Sequence, residues 1–169
     1  YNPTDMKDYS DSDIYIDTSN IFSLNRLSIS DAYESGQSLT IGVDYKKETI
    51  DDINKFFEFN LANVLRDVKQ DTVSTTSTLG EKQSNLFGKV NYGLSEIFSL
   101  NYDFALDNDL QTFEHNSIGT VFNFDKLVTS FDFVETGGKM GDTNFITNTT
   151  TFLINDDNFL SFNTRRNRK

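Results

Sequence analysis

Side chains able to do covalent or metal chemistry are few in this chain, and their spacing does not assemble them. The one histidine, His115, stands between Glu114 and Asn116. A hydrolase needs an imidazole that takes a proton from a serine and is itself held by a third group. A lone histidine at the edge of a polar connection reads instead as a solvated side chain. Asp8, Asp11, Asp13 and Asp17 invite a calcium reading, but the glycine at the sharp turn and the terminal bidentate glutamate of a calcium loop do not follow. A solvated acidic loop is the expectation there. Cysteine is absent, which removes disulfides, thiol catalysis and cysteine-based zinc sites. Gly137 and Gly138 lie in no strand-to-helix phosphate cradle. Asn148-Thr149-Thr150 has the glycosylation pattern but falls within a strand. The residues thus point away from an enzyme and away from cofactors and metals.

Composition narrows the class further. The 169 residues carry 15 basic and 26 acidic side chains, a net charge of -11, so most of the surface repels a phosphate backbone and nucleic acid is excluded as a partner. Mean hydropathy is -0.49, and no aliphatic or aromatic run exceeds three residues. No helix of this chain can cross a membrane. Sixteen Phe and seven Tyr against one Pro and no Trp suit many strands with aromatic faces.

The positions that matter are therefore set by strands. Residues 84–110 show the clearest period: Phe98, Leu100, Tyr102, Phe104 and Leu106 alternate with Ser99, Asn101, Asp103 and Ala105, one apolar and one polar face of a strand. Leu86, Val90 and Tyr92 alternate likewise with Lys89 and Asn91. A loop over 94–96 puts Tyr92 and Phe98 on one face of a hairpin. The same period runs through 37–46 and 57–66, through Ile118, Phe122 and Phe124, through Leu127, Phe131 and Phe133, and through Phe152, Ile154, Leu160 and Phe162. Asp125-Lys126 reads as a two-residue turn and 155–158 as another. Residues 47–55 read as a polar connection, and 67–83, rich in Thr and Ser, as an exposed loop.

Eight strands of about nine to eleven residues result, a length that crosses a bilayer when tilted. Their connections alternate short and long, the habit of outer-membrane barrels, whereas Greek-key sandwiches have no reason to keep every second loop short. The expected fold is all-β, an antiparallel up-and-down transmembrane β-barrel segment of about eight strands within a larger barrel. Residues 1–36 are expected as an acidic extracellular loop region, 37–165 as barrel strands and 166–169 as a truncated end. Thr40, Asp44, Glu58, Asn60, Lys89, Asn91, Asn101, Asp103, Asn123 and Asp132 are the polar candidates for a wet lumen. A general porin or substrate channel shares this architecture, and a soluble β-sandwich binding module shares the alternation.

Motifs along the chain resemble a known family. Residues 25–36, leading into an alternating strand, resemble the pattern N-R-F-S-G-x-D-R-x-E-x-G of the lipopolysaccharide-assembly family LptD. Asn25, Arg26, Ser28, Asp31, Glu34 and Gly36 match it, while Leu27, Ile29 and Ala32 depart. Residues 57–66 are similar to the family's strand ending in G-Q-x-x-Y-F, with Ala62-Asn63 where Gly-Gln is usual. Residues 79–85 resemble its L-x-x-K-x-S-D run, and 158–161 stand where it has N-W-S-L. Order and spacing carry the resemblance from about Asp13 onward. It implies an integral β-barrel of the Gram-negative outer membrane that inserts lipopolysaccharide into the outer leaflet without covalent chemistry. It further implies a lipoprotein plug, LptE, in the lumen and a periplasmic lipopolysaccharide-transport bridge as partners.

Overall fold

A computed structural model describes residues 1–27 and 33–168. The period-two segments form eight strands: β1 (Ser38–Thr49), β2 (Asp52–Arg66), β3 (Leu86–Ser95), β4 (Phe98–Leu106), β5 (Phe113–Phe124), β6 (Leu127–Thr136), β7 (Thr143–Asn155) and β8 (Asn158–Asn167). They join in one sheet in chain order, every neighbour antiparallel. The sheet is an open up-and-down barrel segment in which β1 and β8 each pair with one strand.

One end of the sheet is closed by two-residue turns at Ile50-Asp51, Glu96-Ile97, Asp125-Lys126 and Asp156-Asp157. The other end carries residues 1–27, 33–37, 67–85, 107–112 and 137–142. The alternation of short and long connections is therefore real, and it separates the two ends of every strand. Residues 47–55 correct the expectation of a polar connection. Lys46, Lys47 and Glu48 continue β1 and lie opposite Glu58, Phe57 and Phe56 of β2. Lys46 has the opposite charge of Glu58 across from it, which favours the pairing. At the far end β8 runs on through Arg165 and Arg166 to Asn167.

Register divides the sheet into two faces, because cross-strand partners project to the same side and neighbours along a strand to opposite sides. One face carries Leu39, Ile41, Val43 and Tyr45 of β1 beside Leu65, Leu61 and Phe59 of β2. It continues through Val90, Tyr102, Ile118, Phe133 and Ile146. Its aromatic rings meet across strands, as Phe98 does with Phe122 at 5.1 Å and Tyr45 with Phe57 at 6.2 Å. Among the described residues no further layer covers it: Leu39 is 59% exposed and Phe162 60%.

The core sits on the opposite face, at the long-connection end. Ala62, Val64, Phe87 and Ala105 of the sheet are buried there with Ile14, Ile16, Ile21, Leu27, Val73 and Leu79. The last six come from the two segments expected as solvated loops. Residues 1–27 and 67–85 fold over the sheet as a cap, tied to each other by the Tyr9 N–H donating to the Thr72 carbonyl at 2.8 Å. The exposed-loop expectation for 67–83 is corrected, since Val73, Ser74, Ser77, Thr78 and Leu79 are all buried. Their hydroxyls satisfy one another and the backbone: Ser77 Oγ donates to the Ser74 carbonyl at 2.8 Å and Thr78 Oγ1 accepts from the Asn85 N–H at 2.9 Å. A Ser/Thr-rich loop can be buried when local partners take up its polar groups, although Thr72 Oγ1 is left without one.

Candidate functional site

The polar face opposite the apolar one is the candidate site. Its side chains fall into cross-strand lanes dictated by register. One lane runs Asp44–Asn60–Lys89–Asp103, in which Asn60 Nδ2 donates to Asp44 Oδ1 at 2.8 Å and Lys89 Nζ lies 3.6 Å from Asp103 Oδ1. A second runs Glu58–Asn91–Asn101–Gly119–Asp132, with Asn91 Nδ2 donating to Glu58 Oε2 at 3.3 Å. Gly119 leaves the room that Asn101 and Asp132 occupy, since a Cβ there would meet both side chains. Asn123 lies two and four residues along β5 from Val121 and Gly119, hence on the same side. Thr40 lies opposite Val64 and accepts from Arg26. All ten polar candidates thus share one face, brought together by pairing and not by proximity in the chain.

Around Lys46, Glu58, Asn91 and Asn101, toward the two-residue turns, this face opens into a concavity of about 380 Å³. Toward the long connections its β2–β4 part is covered by the cap, while β8 stays exposed throughout. Chemically it offers carboxylates, amides, hydroxyls and a lysine to water or to a polar ligand. It offers no assembled acid–base pair.

A buried ion cluster anchors the cap. Arg26, matched in the family-like stretch, forks onto both Glu34 oxygens, and its remaining N–H groups reach the Ile21 carbonyl, Thr40 Oγ1 and Ser38 Oγ. Arg66, the last residue of β2, pairs with the same carboxylate and donates to the Leu79 and Ser35 carbonyls. Burial pulls the Arg26 guanidinium down to about 10, so it stays protonated at neutral pH. Gly36 adopts φ +79, where a side chain would be strained and would also crowd Gln70. Asn25 lies beside Arg26 in a turn over 24–27, while Ser28 and Asp31 lie outside the described residues. Arg66 was not marked by the sequence; its signal, a lone basic residue closing an apolar strand, is common.

His115 corrects the expectation of a solvated imidazole. A bulge between β4 and β5 at Ala105/Leu106 turns both Glu114 and His115 inward, where they are 7% and 9% exposed. Glu114 accepts from Asn85 Nδ2 at 2.6 Å, and the Tyr15 ring lies edge-on to His115 at 5.6 Å. Burial, with Asp17 and Asp103 nearby, pushes the Tyr15 hydroxyl up to about 12. These groups pack the cap against β5. Among the described residues no group of three or more His, Cys, Asp or Glu side chains is placed to hold a metal ion, and no helix is long and apolar enough to cross a membrane.

Residues 3–137 match the family model described as LptD, LPS transport system D. No curated protein and no solved structure matches the chain.

Proposed function

The chain belongs to the LptD family of the lipopolysaccharide transport system, and from that premise we propose that its sheet forms wall and loops of an outer-membrane barrel that delivers lipopolysaccharide to the outer leaflet. The observation that carries this reading is the uncovered apolar face running across all eight strands, backed by a continuous polar face. Contiguous apolar area of this kind on a single sheet calls for an apolar surrounding. In hydrocarbon every backbone donor and acceptor must be met by neighbouring strands, which a barrel wall provides. The apolar side faces lipid, and the polar lanes, Thr40, Asp44, Glu58, Asn60, Lys89, Asn91, Asn101, Asp103, Asn123 and Asp132, line a wet lumen. Barrels of this class keep short turns on the periplasmic side and long loops outside, so the cap sits at the outer mouth and residues 1–36 are extracellular.

Division of the two faces suits an amphipathic cargo. A sugar and phosphate head travels along the hydrogen-bonding lining while acyl chains leave sideways between strands, so transport proceeds by partition, with no covalent step. In this reading the lipoprotein plug LptE occupies the lumen, and the periplasmic bridge supplies lipopolysaccharide from the turn end. The test is depletion of the full-length protein in its own cells. Loss of surface lipopolysaccharide is the expected result. Unchanged surface lipopolysaccharide, with ion conductance from the purified barrel, would make the protein a general channel instead.

A further inference from the structure

We infer that Glu34 is the latch that seats the cap on the inner face, and that the Arg26–Glu34–Arg66 cluster thereby seals the outer mouth of the lumen against small solutes. This rests on the reading of the polar face as a lumen. The cluster joins four pieces of chain. Arg26 and Ile21 belong to the covering segment, Thr40 and Ser38 to β1, Arg66 to β2, and Leu79 to the second covering loop. A single carboxylate holds two guanidinium groups from two of those pieces, and both arginines are buried, 6% and 7% exposed.

Ion pairing within the protein identifies the cluster as a clasp. All five N–H donors of Arg26 are engaged by protein oxygens, while Arg66 donates from Nε and Nη1 to the Leu79 and Ser35 carbonyls and its Nη2 lies against the Glu34 carboxylate as an ion pair without a directed hydrogen bond. Without Glu34 two buried cations would face each other with no anion between them, which works against the apolar core that also holds the cap. Phe22, over Gly42, and Tyr15, against His115, are themselves about half exposed. Register adds a condition. Ser38 and Arg66 are cross-strand partners, so the donors and acceptors around Glu34 converge only once β1 and β2 have paired correctly. Closure of the mouth then follows formation of the hairpin.

The test uses the full-length protein in planar bilayers, with Glu34→Ala and the milder Arg26→Lys, which keeps the charge and removes the fork. Glu34→Ala is expected to raise ion conductance roughly tenfold, a modest shift in the open population, with the barrel folded, and Arg26→Lys to give a smaller rise. A Tyr15→Cys/His115→Cys pair bridged by a short bismaleimide in the Glu34→Ala background is expected to restore low conductance, which a general loss of stability would not allow. Wild-type conductance in a folded Glu34→Ala barrel overturns the latch, as does a rise that the bridge fails to reverse. If neither variant folds, the same cysteine pair is bridged in the otherwise unchanged protein, and failure to bridge overturns the seating of the cap. An Asn101→Cys variant separates this from the underlying reading. If that thiol is closed to aqueous reagent, the lumen itself is wrong; if it is open and conductance is unmoved, only the latch fails.

Discussion

Val90→Arg is expected to destabilise the folded barrel by about 2–4 kcal/mol, the cost of a cationic side chain on the lipid face near the bilayer midplane. Val90 sits mid-strand on β3, flanked on the apolar face by Phe59 and Tyr102. The neighbouring change, Asn91→Arg, is expected to cost less than about 1 kcal/mol, because Asn91 lies on the polar face beside Glu58 and Asn101, where an exposed ion pair adds or removes little. Urea unfolding of the barrel from lipid vesicles measures both. The size of either effect matters less than their contrast, since the two residues are adjacent and differ only in the side of the sheet they face.

Phe87→Ala is expected to cost about 3–5 kcal/mol, the range for removing a fully buried aromatic side chain, and to release the cap before the sheet. Phe87 is 1% exposed and stands among Ile14, Ile16, Ile21 and Leu79 on the covered part of the polar face. Its loss leaves a cavity between cap and wall, while β3 keeps its ladders to Ala62 and Ala105. Limited proteolysis is the appropriate measurement: cleavage within residues 1–27 or 67–85 should accelerate at denaturant concentrations that leave the strands intact. Simultaneous loss of cap and strands would mean that the two form one cooperative unit.

What the sequence made legible was the wall. Phe98, Leu100, Tyr102, Phe104 and Leu106 mark their strand because a sheet with one apolar and one polar face imposes strict alternation, and the ten polar candidates inherit their common face from that alternation alone. The turn at Ile50-Asp51 was harder to see, because Lys46, Lys47, Glu48 and Asp52 look like loop residues although the ladder runs through most of them. The cap escaped notice for a different reason. Ile14, Ile16 and Ile21 are scattered among aspartates, and Val73 and Leu79 among serines and threonines, so neither segment shows a period. Their burial depends on a surface, Ala62, Val64, Phe87 and Ala105, that the fold assembles from three strands. Arg26, Glu34 and Gly36 were visible only through resemblance, and Arg66 only once β2 had delivered its last residue to Glu34.

With no native cysteine in the chain, single cysteines can be placed through β4 of the full-length protein in its membrane and probed with two reagents, a water-borne maleimide and a lipid-dissolved one. Thiols at 99, 101 and 103 should react with the first, and thiols at 98, 100, 102 and 104 with the second. A pattern without that two-residue alternation, or with the two sets exchanged, would contradict a sheet that meets lipid on its aromatic side and water on its amide and carboxylate side.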